Sequence, residues 1–157
     1  VVTLLSEGKN LALVTDAGTP GISDPGQRLI KAVVEGGFST AVVSVPGPSS
    51  LSAIISVSDI DLSNFLFLGF PPRKKGRKTF FAGVAGCEIP VILFESPHRI
   101  SKTLLELRDA CGDRYCNIGR ELTKVYEEVF RGTLSVARDY FVGEKLRGEF
   151  VIAIDYK

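Results

Sequence analysis

Leu11-Ala12-Leu13-Val14-Thr15-Asp16-Ala17-Gly18-Thr19-Pro20-Gly21-Ile22-Ser23-Asp24-Pro25-Gly26 carries the decisive pattern of this chain. Leu11 to Val14 is a short apolar run, which predicts a strand buried on both faces. Gln27 to Glu35 predicts a helix. Between them the chain has three glycines, two prolines, two carboxylates and three hydroxyls. Core packing does not ask for such a loop. Glycine lets backbone come close to a ligand, and proline holds a loop in shape. In an α/β protein, ligands sit at the carboxyl ends of strands, where this loop falls.

Working outward, Val1 to Gly8 reads as the end of a helix. The helix after the loop spans about Pro25 to Glu35 and stops at Gly36-Gly37. Thr40 to Val45 predicts a second strand, which empties into Pro46-Gly47-Pro48-Ser49-Ser50. A helix from about Ser49 to Val57 and a strand over Phe65–Phe70 follow. Pro71-Pro72 and a basic cluster then predict a domain boundary near Phe70–Gly76, dividing residues 1–70 from 71–157. The second half predicts a helix near Arg77–Ala85 and a strand over Pro90–Phe94. A further helix runs to about Ala110, with Ser96 as its N-cap and Pro97 at its first position. Strands at Tyr115–Gly119 and Glu127–Gly132, a helix at Leu134–Phe141 and a strand at Gly148–Tyr156 complete it. Strands alternating with helices give the α/β class.

Composition bounds the rest. Of the 157 residues, 45% are hydrophobic and 24% charged, with a net charge of +1. That is ordinary globular composition, with no global pull toward nucleic acid. The cations are unevenly placed, however. Arg73, Lys74, Lys75, Arg77 and Lys78 form a local cluster that suits either a solvated loop or a phosphate-contacting patch. Three cysteines without zinc-like spacing fit a reduced, cytoplasmic setting, with no disulfide framework and no metal site. No apolar run reaches the roughly 18–20 residues of a membrane span. The chain starts at Val1 and has no methionine. It reads either as a piece of a longer protein or as a sequence from which modified methionines have been left out.

Several strand ends carry polar residues. Pro46-Gly47-Pro48-Ser49 offers free amides at a helix start, able to hold a carboxylate. Neither a P-loop nor a dinucleotide fingerprint occurs. Phe94-Glu95-Ser96-Pro97-His98-Arg99 contains the single histidine, with Arg99 placed to pair Glu95 or a phosphate. Gly119-Arg120-Glu121-Leu122-Thr123-Lys124-Val125-Tyr126-Glu127-Glu128 is a dense polar run after a strand. Arg147-Gly148-Glu149 sets a carboxylate at a strand start, where it needs a backbone or ligand donor. A glycine-lined, carboxylate-rich cleft of this kind suits a polar ligand with amines, hydroxyls and an adenine.

These motifs, in this order, resemble the tetrapyrrole-methylase superfamily. The match runs from Asp16–Gly26 and Pro46–Ser49 through Gly69-Phe70, Pro72, Glu95–Arg99 and Arg120–Lys124 to Glu127-Glu128 and Arg131-Gly132. It covers nearly the whole chain. Within the superfamily the pattern is most similar to the small-subunit ribosomal RNA methyltransferase I family, which acts on the ribose 2′-oxygen of a cytidine in 16S rRNA. The resemblance implies two α/β domains with S-adenosylmethionine (SAM) in the cleft between them, and a homodimer. It implies Asp16, Ala17, Thr19, Ser49 and Ser50 as SAM contacts, closed over by Phe94, Glu95, Leu122 and Gly148. Glu121, Lys124 and His98 become the candidate proton acceptors, and Arg73, Lys74, Lys75, Arg77 and Lys78 the RNA contacts.

The pattern departs from the family at Thr15, usually serine, at Ser50, usually alanine, and at Pro71, usually leucine. The family's first strand with its Thr-Pro-Ile-Gly-Asn loop is missing, so the chain reads as the middle and end of such an enzyme. Two alternatives stay open. One is a methyltransferase acting on a corrin or porphyrin precursor. The other is a fragment that binds SAM or RNA without catalysis.

Overall fold

A computed structural model describes residues 1–157, the side chain of Thr40 excepted. Packing divides the chain into two compact units, Val1–Ser49 and Ser50–Lys157. The boundary expected at Phe70–Gly76 therefore lies inside the second unit.

The first unit contains α1 (Val2–Ser6), α2 (Gln27–Glu35) and a 3-10 turn (Ser39–Ala41). α2 stops as the glycine pair predicts. Gly37 takes φ +86, its N–H donates to Val34 O, and the Phe38 N–H donates to Val33 O. This reciprocal pair satisfies carbonyls that the last helical turn leaves free. The two strands expected at Leu11–Val14 and Thr40–Val45 are not formed. A strand exists by virtue of its neighbour, and among the described residues neither run pairs with another strand. Val14, Val43 and Val45 are accordingly 80%, 78% and 86% exposed. The two runs and α2 border an apolar hollow of about 990 Å³.

The second unit is built on one sheet of five strands in the order β1-β2-β5-β3-β4. They are β1 (Leu66–Gly69), β2 (Val91–Glu95), β3 (Tyr115–Arg120), β4 (Glu128–Thr133) and β5 (Phe150–Ile154). β1 runs parallel to β2, and every other pair is antiparallel. β2 and β5 are buried along their whole length, which explains the apolar runs Val91–Phe94 and Phe150–Ile154. Alternation assigns the two faces. Val91, Leu93, Cys116, Ile118, Phe150, Ile152 and Ile154 join the main core with α4 (Arg77–Ala85), α5 (Ile100–Cys111) and α6 (Leu134–Tyr140). Ile92, Asn117 and Ala153 face the other way, and Ala153 stands opposite both of the others.

That second face explains why the unit begins at Ser50. α3 (Ser50–Val57) packs on β5 and β3. Its end is held by Asn117, a fully buried amide on β3. Asn117 Oδ1 accepts from Ser58 Oγ at 2.9 Å and from the Asp59 N–H at 3.1 Å, while Nδ2 donates to Asp59 Oδ1 at 2.8 Å. Tyr115 Oη donates to Asp59 Oδ2, and Arg131 donates to Val57 O. The bond from Asn117 leads the influences that hold the Asp59 carboxyl below its ordinary pKa. Asn117→Ala strands two donors beside a buried site, so it is expected to cost about 2–3 kcal/mol in a urea unfolding titration. A loss under about 0.5 kcal/mol would show that water replaces the amide at no cost.

α5 starts later than expected. The turn Pro97–Arg99 precedes it, and helix begins at Ile100. Ser96 does not cap it. Its N–H is taken by the Glu95 carboxylate at 2.7 Å, and its Oγ accepts from Arg99 Nε at 3.2 Å.

Candidate functional site

In the first unit the Gly/Pro loop is organised by its own hydroxyls. Thr15 Oγ1 donates to Ala17 O and Gly18 O at 3.3 and 3.2 Å. Thr19 Oγ1 donates to Pro48 O at 3.2 Å, so the two Gly/Pro turns of this unit are bonded to each other. Gly18 takes φ +74, and a Cβ there would sit 3.9 Å from the same Pro48 carbonyl. The loop thus combines a left-handed backbone with a close approach. Asp16 and Ala17 lie on it, exposed, and Ser49 closes the second turn. Ser50 opens α3 in the other unit.

The strand ends of the second unit treat the expected residues differently. Phe94 is buried against Phe67 and Phe70, with ring centroids at 4.9 and 5.6 Å. Glu95 has a side chain with 0% exposure. Its Oε1 receives the Ser96 N–H and the Arg99 guanidinium, both at 2.7 Å, and its Oε2 receives the Thr103 hydroxyl at 2.6 Å. Both carboxylate oxygens are thus committed to donors inside the protein. Leu122 is also buried; it folds onto β3, where a Cβ at Gly119 would come within 2.5 Å of it.

Of the five clustered cations, Arg77 is buried. Its guanidinium donates to Glu106 at 2.6 Å, Pro72 O at 3.0 Å and Thr103 Oγ1 at 2.6 Å, and stands 4.9 Å from the Phe81 ring centre. Three of its five N–H donors are thus engaged inside the protein, unlike those of the other four cations. Arg73, Lys74, Lys75 and Lys78 are exposed and form no ion pair among the described residues.

The loop after β3 and the start of β5 form one cluster. Glu121 takes φ +50 and Thr123 φ +67, both unusual for residues with a Cβ. The Glu121 N–H donates to Glu149 O, and Glu121 Oε1 accepts from the Glu149 N–H at 2.8 Å. Lys124 Nζ bridges Glu121 at 3.0 Å and Glu149 at 2.9 Å. Gly148 takes φ +93, and its bare Cα leaves room for the Glu121 side chain. Burial pushes the Glu121 pKa up, but bonds from Glu149 and Lys124 outweigh it and leave it below the ordinary range. For Lys124, burial lowers the pKa, and the bonds to Glu149 and Glu121 more than restore it. The pair is held ionised, a poor setting for either to accept a proton near neutrality.

Gly148 also lines a hollow of about 430 Å³ with Pro97, His98, Ser101, Leu146 and Arg147. His98 is exposed there. Arg147 and Ser101 were not among the sequence candidates. The Arg147-Gly148-Glu149 strand start was the available signal, since it places an arginine next to a glycine of positive φ. Among the described residues no group of His, Cys, Asp or Glu side chains is arranged to hold a metal ion, and no helix is long and apolar enough to cross a membrane.

The family model of the tetrapyrrole (corrin/porphyrin) methylases matches residues 1–137. Ribosomal RNA small subunit methyltransferase I of Thermotoga maritima is 39% identical over 157 residues, covering 100% of this chain and 70% of its own. The protein of the same name from Synechocystis is 41% identical over 152 residues, covering 96% of this chain and 54% of its own. The chain spans about half the length of most curated relatives it matches. Among solved structures, the methyltransferase CobJ superposes with a TM-score of 0.68 at 15% identity, over 98% of this chain and 67% of that one. Uroporphyrin-III C-methyl transferase from Thermus thermophilus, complexed with S-adenyl homocysteine, gives 0.55 at 16% identity, over 87% and 62%. A match of residues 1–137 to the family model, with relatives 39% and 41% identical over 100% and 96% of this chain, means that this chain belongs to the tetrapyrrole methylase family.

Proposed function

We propose that this chain is the methyl-transferring part of a SAM-dependent enzyme that methylates the ribose 2′-hydroxyl of a cytidine in 16S rRNA. A homodimer in the bacterial cytoplasm belongs to the same reading. The observation that carries it is the Thr19–Pro48 hydrogen bond, which unites the two Gly/Pro turns into one polar surface with Asp16 and Ala17 exposed on it. The names of the relatives at 38–41% identity support the RNA substrate.

The residues present fit the cofactor. Left-handed glycine backbone at Gly18 and Gly21, free of nearby side chains, can lie against an adenosine. Asp16 would accept hydrogen bonds from the cofactor's amine or hydroxyl groups, with Thr19 and Ser49 beside it. SAM, when bound, supplies a methyl group on a sulfonium, so the chain itself must align the acceptor and take one proton. His98 is the proposed proton acceptor, because Glu121 and Lys124 hold each other ionised. Arg73, Lys74, Lys75 and Lys78 would meet the RNA backbone.

Asp16→Ala is expected to weaken SAM binding about 10- to 100-fold, the value of a hydrogen bond to a charged group, with the unfolding curve unchanged. Calorimetric titration reads this directly, and unchanged affinity would take Asp16 out of the site. The fold-level likeness to corrin and porphyrin methyltransferases keeps a tetrapyrrole substrate as the second reading. Methyl transfer to a tetrapyrrole, without binding of a small-subunit rRNA fragment, would decide for it. Binding of SAM or RNA with no transfer would mark a non-catalytic module.

A further inference from the structure

The most developed buried network in the second unit is one that the reaction above does not use. Glu95, at the end of β2, accepts from Arg99 and Thr103, and Thr103 accepts from Arg77. Arg77 is also paired with Glu106 and Arg99 with Ser96 Oγ, and each arginine donates to one proline carbonyl. Arg99 donates to Pro71 O at 3.0 Å, and Arg77 donates to Pro72 O at 3.0 Å. Two adjacent prolines have no N–H, so their carbonyls are the only main-chain groups by which that segment can be held. Arg73, Lys74 and Lys75 follow at once, exposed, and Lys78 stands on the first turn of α4.

We propose that Glu95, acting through Arg99 and Arg77, is a positioning residue that fixes the Pro71–Pro72 carbonyls and thereby presents Arg73, Lys74, Lys75 and Lys78 to an RNA backbone. It rests on the reading of the chain as an RNA methyltransferase. Like charges this close in sequence repel one another and would spread a free loop. Tying the loop at its root meets the ordering cost before RNA arrives, which raises affinity without adding a contact. The same carboxylate binds the Ser96 N–H, so it also orients the turn that carries His98.

The test is fluorescence anisotropy of a labelled small-subunit rRNA fragment over a salt series, with hydrogen exchange of the Arg73–Gly76 amides. Glu95→Gln keeps shape and removes a negative charge. Plain electrostatics makes it bind RNA more tightly; positioning makes it bind roughly fivefold or more weakly, with faster loop exchange. Arg99→Gln is expected to do the same with an unchanged salt slope, whereas loss of a direct phosphate contact would flatten the slope by about 0.7–0.9. Arg99 lies at the edge of the network, so this variant serves if Glu95→Gln does not fold. Unchanged or tighter RNA binding, a flattened slope for Arg99→Gln, or weaker binding without faster exchange each overturns the proposal. A wild-type chain with no salt-dependent RNA binding overturns the RNA reading itself, and this inference with it.

Discussion

Glu95→Ala is expected to lower the unfolding free energy by roughly 3–5 kcal/mol, the cost of removing one partner from a buried ion pair. The side chain is wholly enclosed, and three donors converge on its two oxygens. Truncation leaves the Thr103 hydroxyl and the Ser96 N–H without acceptors and opens a void between β2 and α5. Against a typical total of about 5–15 kcal/mol, that is a large fraction. For a domain of this size it corresponds to a fall in melting temperature of roughly 6–20 °C. Urea titration followed by far-UV circular dichroism checks it. A shift below about 1 kcal/mol would mean that the network is replaced by water without penalty.

Replacing Arg73, Lys74, Lys75 and Lys78 together by Gln should leave stability nearly untouched and cost RNA affinity heavily. Single-stranded RNA contacts contribute about 0.7 to the salt slope per phosphate, so four lost contacts flatten it by about 3. At about 0.1 M salt this amounts to roughly a 10²- to 10³-fold weaker complex. SAM affinity should not move. Arg77→Gln is the contrasting case: its donors are bound to Glu106, Thr103 and Pro72, so it should lose stability and keep the slope. An unaltered slope in the fourfold variant would sink the assignment of the cluster to RNA.

Much of the second unit was legible in the sequence. Val91–Phe94 and Phe150–Ile154 are apolar runs that lie in strands buried on both faces. The pairing of Arg99 with Glu95 was one of the two partners read for Arg99, and the turn Pro97–Arg99 after β2 brings them together. What failed depends on partners far along the chain. Leu11–Val14 has the composition of a strand, but pairing is not a local property. The unit boundary at Ser49–Ser50 is set by Asn117 holding Ser58 and Asp59, contacts that no local pattern announces. Arg77 sits among exposed cations in sequence, and only Glu106 and Thr103, distant on α5, draw it inside. Glu149 was read as needing a backbone or ligand donor, whereas its exposed carboxylate meets a side chain, Lys124 Nζ at 2.9 Å.

The sheet order has a consequence for synthesis of the chain. β5 follows the other four strands of this sheet in the chain, yet it lies between β2 and β3 and is hydrogen-bonded to both. Until Phe150–Ile154 leaves the ribosome, β1-β2 and β3-β4 are two ribbons with no common neighbour, each with a bare inner edge. Assembly of this sheet waits for that strand, a high-contact-order closure that slows folding and leaves open edges for chaperones to guard.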